Sequence, residues 1–424
     1  MTLSKLNCAI ALVVLSLSAC DTEDTFVADT SQGGTDGTDG TDGTSGTTAT
    51  DGTASTDGTD ATTGTDATET LADLPNACEA ASECGGDECV ENVCVIAAPA
   101  EATLVNNEDD SDVSGPPNLD CVGSPYTPGA SGPDAVTLYG IVDRFGSGRK
   151  TIDIEVSIFL ASEWPPAECT SKPFDEQREC FRTVKPSNAG WVTISTDPEA
   201  DSPQNPSQCV RHADCTPGFE CAEVDIEFEC KAEFGLYEIA GIPTNTELVI
   251  RSRNDVSQPL LEGKWKDTYT LGVYLFSDKA EAGDRYRNPA LMVSTGQWQT
   301  VPNTLQVGSI SEGNSAIGGR TRDCHTADRR GYTIGDASVG LARPGTATGY
   351  FNDNEADTVP ITNSTSTDIF GRFTVVDVPP GINRVSAVAM VGGAQTSLGH
   401  EDLYVIPDAL MIVTLPGKLP ILTK

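Results

Sequence analysis

Fourteen cysteines and three histidines hold most of the nucleophilic and metal-binding chemistry open to this 424-residue chain. Cys78, Cys84, Cys89 and Cys94 follow a C-x5-C-x4-C-x4-C pattern, and a comparable set, Cys209, Cys215, Cys221 and Cys230, recurs downstream. Zinc thiolates usually come as closer C-x2–4-C pairs, so this spacing favours two disulfides per set, with three connectivities open in each. Cys169 and Cys180 are near enough in sequence for a local bridge, which leaves Cys121 and Cys324 as a long-range staple. The histidines offer less. His212, His325 and His400 are scattered, neither H-E-x-x-H nor G-x-S-x-G occurs, and Cys324-His325 is adjacent rather than converging. The expectation is a chain held by disulfides, with no metal, no cofactor and no catalytic centre.

A leader explains why disulfides suit it. Lys5 precedes an apolar run over residues 9–17, and small residues then lead to Cys20, the layout of a secretory signal with a cleavage site. The run is too short to span a bilayer. Leu17-Ser18-Ala19-Cys20 resembles the lipobox of bacterial lipoproteins. The resemblance implies that 1–19 is a signal peptide and that Cys20 carries palmitate-type acyl chains, each buried methylene contributing about 0.8 kcal/mol to membrane binding. It also implies a place in the bacterial cell envelope. With Cys8 and Cys20 set aside, an even number of cysteines remains for an oxidising compartment.

Residues 20–75 are a Gly/Thr/Asp tract with a Thr-Asp-Gly repeat, too poor in apolar area to fold. Such a tether reaches roughly 40 Å, from about 5–6 Å times the square root of its length. That length suits outer-membrane or surface display, although Asp21 beside the anchor would mean inner-membrane retention under the enteric sorting rule. The repeat, and the acidic run at 108–112, lack calcium-loop register and read as solvated charge. With 63 Asp+Glu against 26 Lys+Arg, a net charge of −37, nucleic acid is excluded as a partner.

Beyond the tether come a four-cysteine module at 76–96 and a polar linker at 97–134. Strict apolar–polar alternation then begins, at 136–142 and 152–158, with further strand candidates at 235–239, 247–250, 269–276 and 290–293. No segment here has a convincing 3.6-residue period, so the class is all-β. The grammar repeats near the C-terminus. Gly235-x-Tyr237-x-Ile239-x-x-Ile242-Pro243 aligns with Gly371-x-Phe373-x-Val375-x-x-Val378-Pro379. Glycine permits a tight turn into the strand, residues two apart face one core, and proline closes the strand where no ladder N–H is needed.

The second copy resembles the carboxypeptidase regulatory-like family through Asp368, Gly371, Phe373, Val375, Val378, Pro379 and Gly381. The first copy departs from that signature, with Glu233 nearest the acidic position and Asn245 where glycine is usual. The resemblance implies two tandem prealbumin-like β-sandwiches, at 135–305 and 306–424, the first interrupted over 164–231 by an insertion carrying the second cysteine module near 207–231. The cysteine modules themselves resemble small four-cysteine units of exported proteins from predatory and soil bacteria. Although the family accompanies metallocarboxypeptidases, their zinc-binding set has no counterpart here, so peptidase activity does not carry over. What remains is display and binding of a protein or a glycan. Sugar binding needs exposed aromatics. Trp164 and Trp191, in the insertion, are the candidate glycan contacts, whereas Trp265 and Trp298 lie beside strands and read as core.

Overall fold

A computed structural model describes residues 69–106, 111–123, 132–144, 151–196, 235–254, 263–324, 331–354, 357 and 359–416, and the backbone of 219–224 and 227–232. Cys20, the tether as far as residue 68, His212, His325, Cys209, Cys215, the side chains of Cys221 and Cys230, and most of the acidic run lie outside them, whereas 69–75, read above as the end of the tether, are folded and bury Leu74.

The chain opens with the hairpin β1 (Glu88–Val90) and β2 (Val93–Val95), then β3 (Thr103–Val105), β4 (Ala135–Arg144) and β5 (Ile154–Leu160). Two helices, α1 (Ala167–Thr170) and α2 (Phe174–Thr183), precede β6 (Val192–Ile194), the hairpin β7 (Phe219–Val224) and β8 (Glu227–Ala232), β9 (Leu236–Pro243) and β10 (Glu247–Asn254). Next are β11 (Trp265–Lys266), β12 (Thr268–Tyr274), β13 (Arg285–Arg287), β14 (Ala290–Ser294) and α3 (Thr295–Thr304). The last part holds β15 (Ser315–Thr321), β16 (Thr333–Gly335), β17 (Ser338–Leu341), β18 (Ala347–Tyr350), β19 (Arg372–Val378), β20 (Gly381–Val391), β21 (Ala394–Val405) and β22 (Leu410–Leu415). The class is all-β, as the alternation predicts. Helices α2 and α3 were not expected. Each buries only a narrow stripe, Gln177 with Phe181 and Gln297 with Pro302, too little to raise a 3.6-residue signal.

The sequence repeat is a repeat of strand pairing. β4 lies between β9, antiparallel, and β14, parallel; β15 lies in the same way between β19, antiparallel, and β22, parallel. The aligned glycines have the same job: Gly235 and Gly371 sit at φ +72° and +67°, and a Cβ on either would strike a backbone carbonyl, of Thr151 or Thr321. The aligned aromatics also match. Tyr237 pairs across the ladder with Gly140, and Phe373 with Gly319, so each ring covers a residue with no side chain of its own.

Six residues after each leading glycine the backbone again turns left-handed, at Gly241 (φ +73°) and Asp377 (φ +59°), where both ladders shift register. Aspartate is tolerated at the second because its carboxylate accepts from Ser311 N (2.7 Å), Asn314 Nδ2 (2.9 Å) and Thr346 Oγ1 (2.7 Å). Burial opposes its charge, and the hydrogen bonds, led by that from Thr346, outweigh it and hold the carboxyl below the usual range. A depressed folded pKa stabilises above the unfolded value of about 3.9 and is lost as pH falls through the folded value. Thermal melts of Asp377→Asn should therefore lie below those of the native chain at pH 7, and the two should converge as the pH falls below 3.9.

Eight strands form one continuous sheet in the order β18-β19-β15-β22-β12-β10-β5-β6. Its two halves meet where β12 and β22 pair in parallel, Thr268 beside Leu410, Tyr269 beside Met411 and Thr270 beside Ile412. Because side chains alternate between faces, that register decides what each face meets. On the first half, Ile154, Val156, Ile158, Leu248 and Ile250 pack on a five-stranded sheet through Leu138, Ile239, Tyr286 and Met292. The opposite face of that half, with Phe159, Val249 and Tyr269, is covered by Cys169 and Phe181 of the helical insertion. The second half reverses the arrangement. Ile317, Phe373, Met411 and Val413 face the three-stranded sheet β17-β20-β21 through Val339, Val385 and Leu403, while Ala316, Leu410 and Ile412 lie under Trp298 of α3. Two sandwiches thus share a sheet and carry their covering sheets on opposite sides of it.

The chain before β4 belongs to the second sandwich, not the first. Within 97–134, read above as linker, β3 pairs with β16, Ala98 exchanges two hydrogen bonds with Gln395 (2.9 and 3.0 Å), and the Glu101 carboxylate caps the N–H groups of Gly392 and Gly393.

Candidate functional site

The first cysteine module is cross-braced, Cys78 to Cys89 and Cys84 to Cys94, so its thiols are engaged with one another. It lies on the outer face of the β17-β20-β21 sheet. Leu74, Val90, Val93 and Val95 bury against Ala342 and Val388, and Asn76 N donates to Ala342 O at 2.8 Å. Gly340 makes the approach possible, since a Cβ there would come 2.7 Å from the Cys94 carbonyl oxygen.

The module's turn, Glu91-Asn92, has both residues left-handed, and the sheet grips it. Arg384 Nη1 donates to Glu91 O (2.9 Å) while its Nε and Nη2 hold Asp402 (2.5 and 2.9 Å). Ser397 Oγ donates to one oxygen of the Glu91 carboxylate (2.9 Å), and His400 Nδ1 lies 3.1 Å from the other. This is the one described place where a hydroxyl, a histidine and a carboxylate meet, and their order is wrong for nucleophilic catalysis. The carboxylate stands between serine and histidine, so the imidazole does not face the hydroxyl as a Ser-His pair requires. The group fixes the module to the sheet.

The remaining cysteines bridge Cys169 to Cys180 and Cys121 to Cys324. The first bridge joins α1 to α2. Spacing alone left their partners open only in part, and no single local signal marks the 203-residue separation of the second. For Cys221 and Cys230 the backbone register of β7 and β8 sets the two residues opposite one another.

The two tryptophans named as candidate glycan contacts lie against the cores. Trp191 is 8% exposed, inside the core of the first sandwich, and Trp164 stacks among Phe159, Tyr269 and Phe181 at centroid distances of 4.9, 5.3 and 5.7 Å. The insertion folds back on the sheet instead of projecting from it, which buries Trp191 and leaves Trp164 half-buried. Trp265 packs at the edge of the first core and Trp298 at the edge of a smaller one under α3. Beside Trp298 lies a small apolar cleft lined by Val301, Ile310, Phe351 and Val376.

Charged residues that sequence reasoning passed over hold the insertion down. Glu155 on β5 meets Arg251 and Arg253 on β10, all three buried. The arginines reach on to α2, where Arg251 Nη1 donates to the carbonyls of Phe181 (2.8 Å) and Val184 (2.9 Å) and Arg253 Nη1 to that of Arg182. These are the carbonyls a helix C-terminus leaves without partners, and cations there also suit the helix dipole. From α2 the grip extends to the second sandwich: Tyr404 OH donates to Gln177 (2.9 Å) and Arg178 pairs with Asp408 (3.4 Å).

No protein-family model matches the chain, and no curated relative is found. Crystal structures of the shaft pilin SpaA from Lactobacillus rhamnosus GG, and of a point mutant of it, each cover 66% of this chain and 97% of their own, at 9% identity and a TM-score of 0.16. So loose a likeness bears no weight. The class rests on the sheets themselves: a disulfide-braced β-sandwich protein. Among the described residues, no helix is long and apolar enough to cross a membrane.

Proposed function

We propose that the chain is a non-catalytic lipoprotein of the bacterial cell envelope, held to the outer membrane through Cys20 and acting as a rigid spacer that displays its fused sandwiches to a protein partner. The observation that carries this reading is the fusion of two sandwiches through one sheet. A continuous ladder, a shared core and an inserted helix pinned to both halves leave no hinge between them. A second support is that the residues following the tether pack on the second sandwich and leave the first free of them. The repeat-bearing strands, with their resemblance to carboxypeptidase regulatory-like domains, supply scaffold without chemistry. Carbohydrate recognition is the less favoured reading, because Trp191 is buried in the first core and Trp164 is half-buried among aromatic rings.

The test is metabolic labelling of cells with an alkyne-bearing palmitate analogue, followed by membrane fractionation. The native chain is expected to carry label and sediment with outer membranes, and Cys20→Ala to lose both. An unlabelled native chain would refute the anchor, and turnover of any substrate by the purified protein would refute the absence of chemistry.

A further inference from the structure

We infer that the Cys121–Cys324 bridge acts as a mechanical bypass, carrying tension along the chain directly into the second sandwich and keeping it off the first. The inference deepens the proposed role, and depends on it only for where the load comes from. Its basis is topological. Residues 69–106 and 111–121 form a strap on the second sandwich: Glu69 pairs with Arg343, the cysteine module grips β20 and β21, β3 extends β16, and Asn118 N donates to Asp323 at 3.1 Å. At the end of this strap, Cys121 is bonded to Cys324, just past β15. Everything from β4 to β15, the whole first sandwich included, therefore lies in a closed loop.

A pull applied between the two ends of the chain meets the strap first. It then crosses the sulfur–sulfur bond and continues through β16 to β22. Strands β4 and β15 sit on the unloaded branch. Without the bond the same pull would run from the strap into β4, which pairs with β9, β13 and β14 and is the central strand of its sheet. The staple also explains why the neck between strap and first sandwich can be a plain polar segment, since it bears no load.

The test is stretching of the full-length chain in magnetic tweezers, with handles at its two termini. A loop of 203 residues released under load adds roughly 70 nm, at ~3.4 Å per residue. The native chain, fully unfolded at high force, is expected to stop that far short of the length reached by Cys121→Ser/Cys324→Ser. Should the double variant fail to fold, the native chain is stretched, then exposed to a thiol reductant in place. The module and helix bridges close loops of only 10 or 11 residues, so their opening adds small steps and the long one stands apart. Equal lengths before and after reduction would overturn the inference. That result does not depend on Cys20, and loss of the acyl label would sink the anchoring proposal while leaving the bypass intact.

Discussion

Glu155→Ala is expected to cost the fold about 3–5 kcal/mol, because it strands two buried guanidinium groups without a counter-ion. Arg253 holds the carboxylate with two bonds, Nε at 2.8 Å and Nη2 at 2.7 Å, and Arg251 Nη2 adds a third at 3.2 Å. Cross-strand register enforces the cluster, since Arg253 pairs with Glu155 and Arg251 with Ser157. The same arginines hold the last turn of α2, so the loss should also loosen the insertion. Urea unfolding of the full chain with its disulfides intact gives the magnitude. A loss below about 1 kcal/mol would mean that the ion cluster does not hold the insertion, since breaking such a buried cluster is expected to cost several times that. Replacing all three by Leu, Met and Met should recover most of the loss, because an apolar set of similar volume needs no counter-ion. Burial works against the Glu155 charge, and Arg253 followed by Arg251 outweighs it, holding the carboxyl below the usual range. This stabilisation is complete above the unfolded pKa of about 4.3 and disappears as pH falls through the lower folded value. Acid melts of the native chain should therefore approach those of Glu155→Gln.

The second large effect falls on the repeated glycine. Gly371→Ala forces a left-handed conformation on a residue with a Cβ, about 1–2 kcal/mol, and drives that atom onto the Thr321 carbonyl, which adds about 1–3 kcal/mol of overpacking. Gly235→Ala meets the Thr151 carbonyl in the same geometry and should lose a similar amount. Gly392→Ala is the control. Its φ is +61° with open space around it, so only the backbone cost of about 1–2 kcal/mol applies. Equal losses at all three positions would show that strain, not the close approach, fixes the motif.

These glycines were legible in the sequence because a left-handed φ narrows the choice of residue at one position, and the strands because period-two alternation persists over several residues. The acidic member of the signature is also physical: Asp368 accepts from both the backbone N and the Nε of Arg372, each at 2.7 Å, while Arg372 gathers the carbonyls of Asn352, Asn354 and Asp357. What stayed hidden depends on distant partners. Leu104 and Val105 are two apolar residues in a polar stretch, too few to announce a strand, and they become one only beside β16. The arginines of β10 look like a solvated edge until α2 is laid over them. Trp164 and Trp191 stand in a segment rich in proline and charge, and only the folding back of that segment buries Trp191 and sets Trp164 against aromatic rings.

The strap has a consequence for the order in which the molecule can be completed. Its cysteine module leaves the ribosome early and can close its own bridges, which span 11 and 10 residues. The surface it must rest on, β20 and β21, is made nearly three hundred residues later. Long-range partners of this kind are slow to find, because loop closure must precede any contact that rewards it. The first folding unit of the polypeptide to be synthesised is thus the last to reach its place, and the protein remains unfinished until almost its whole length has been made.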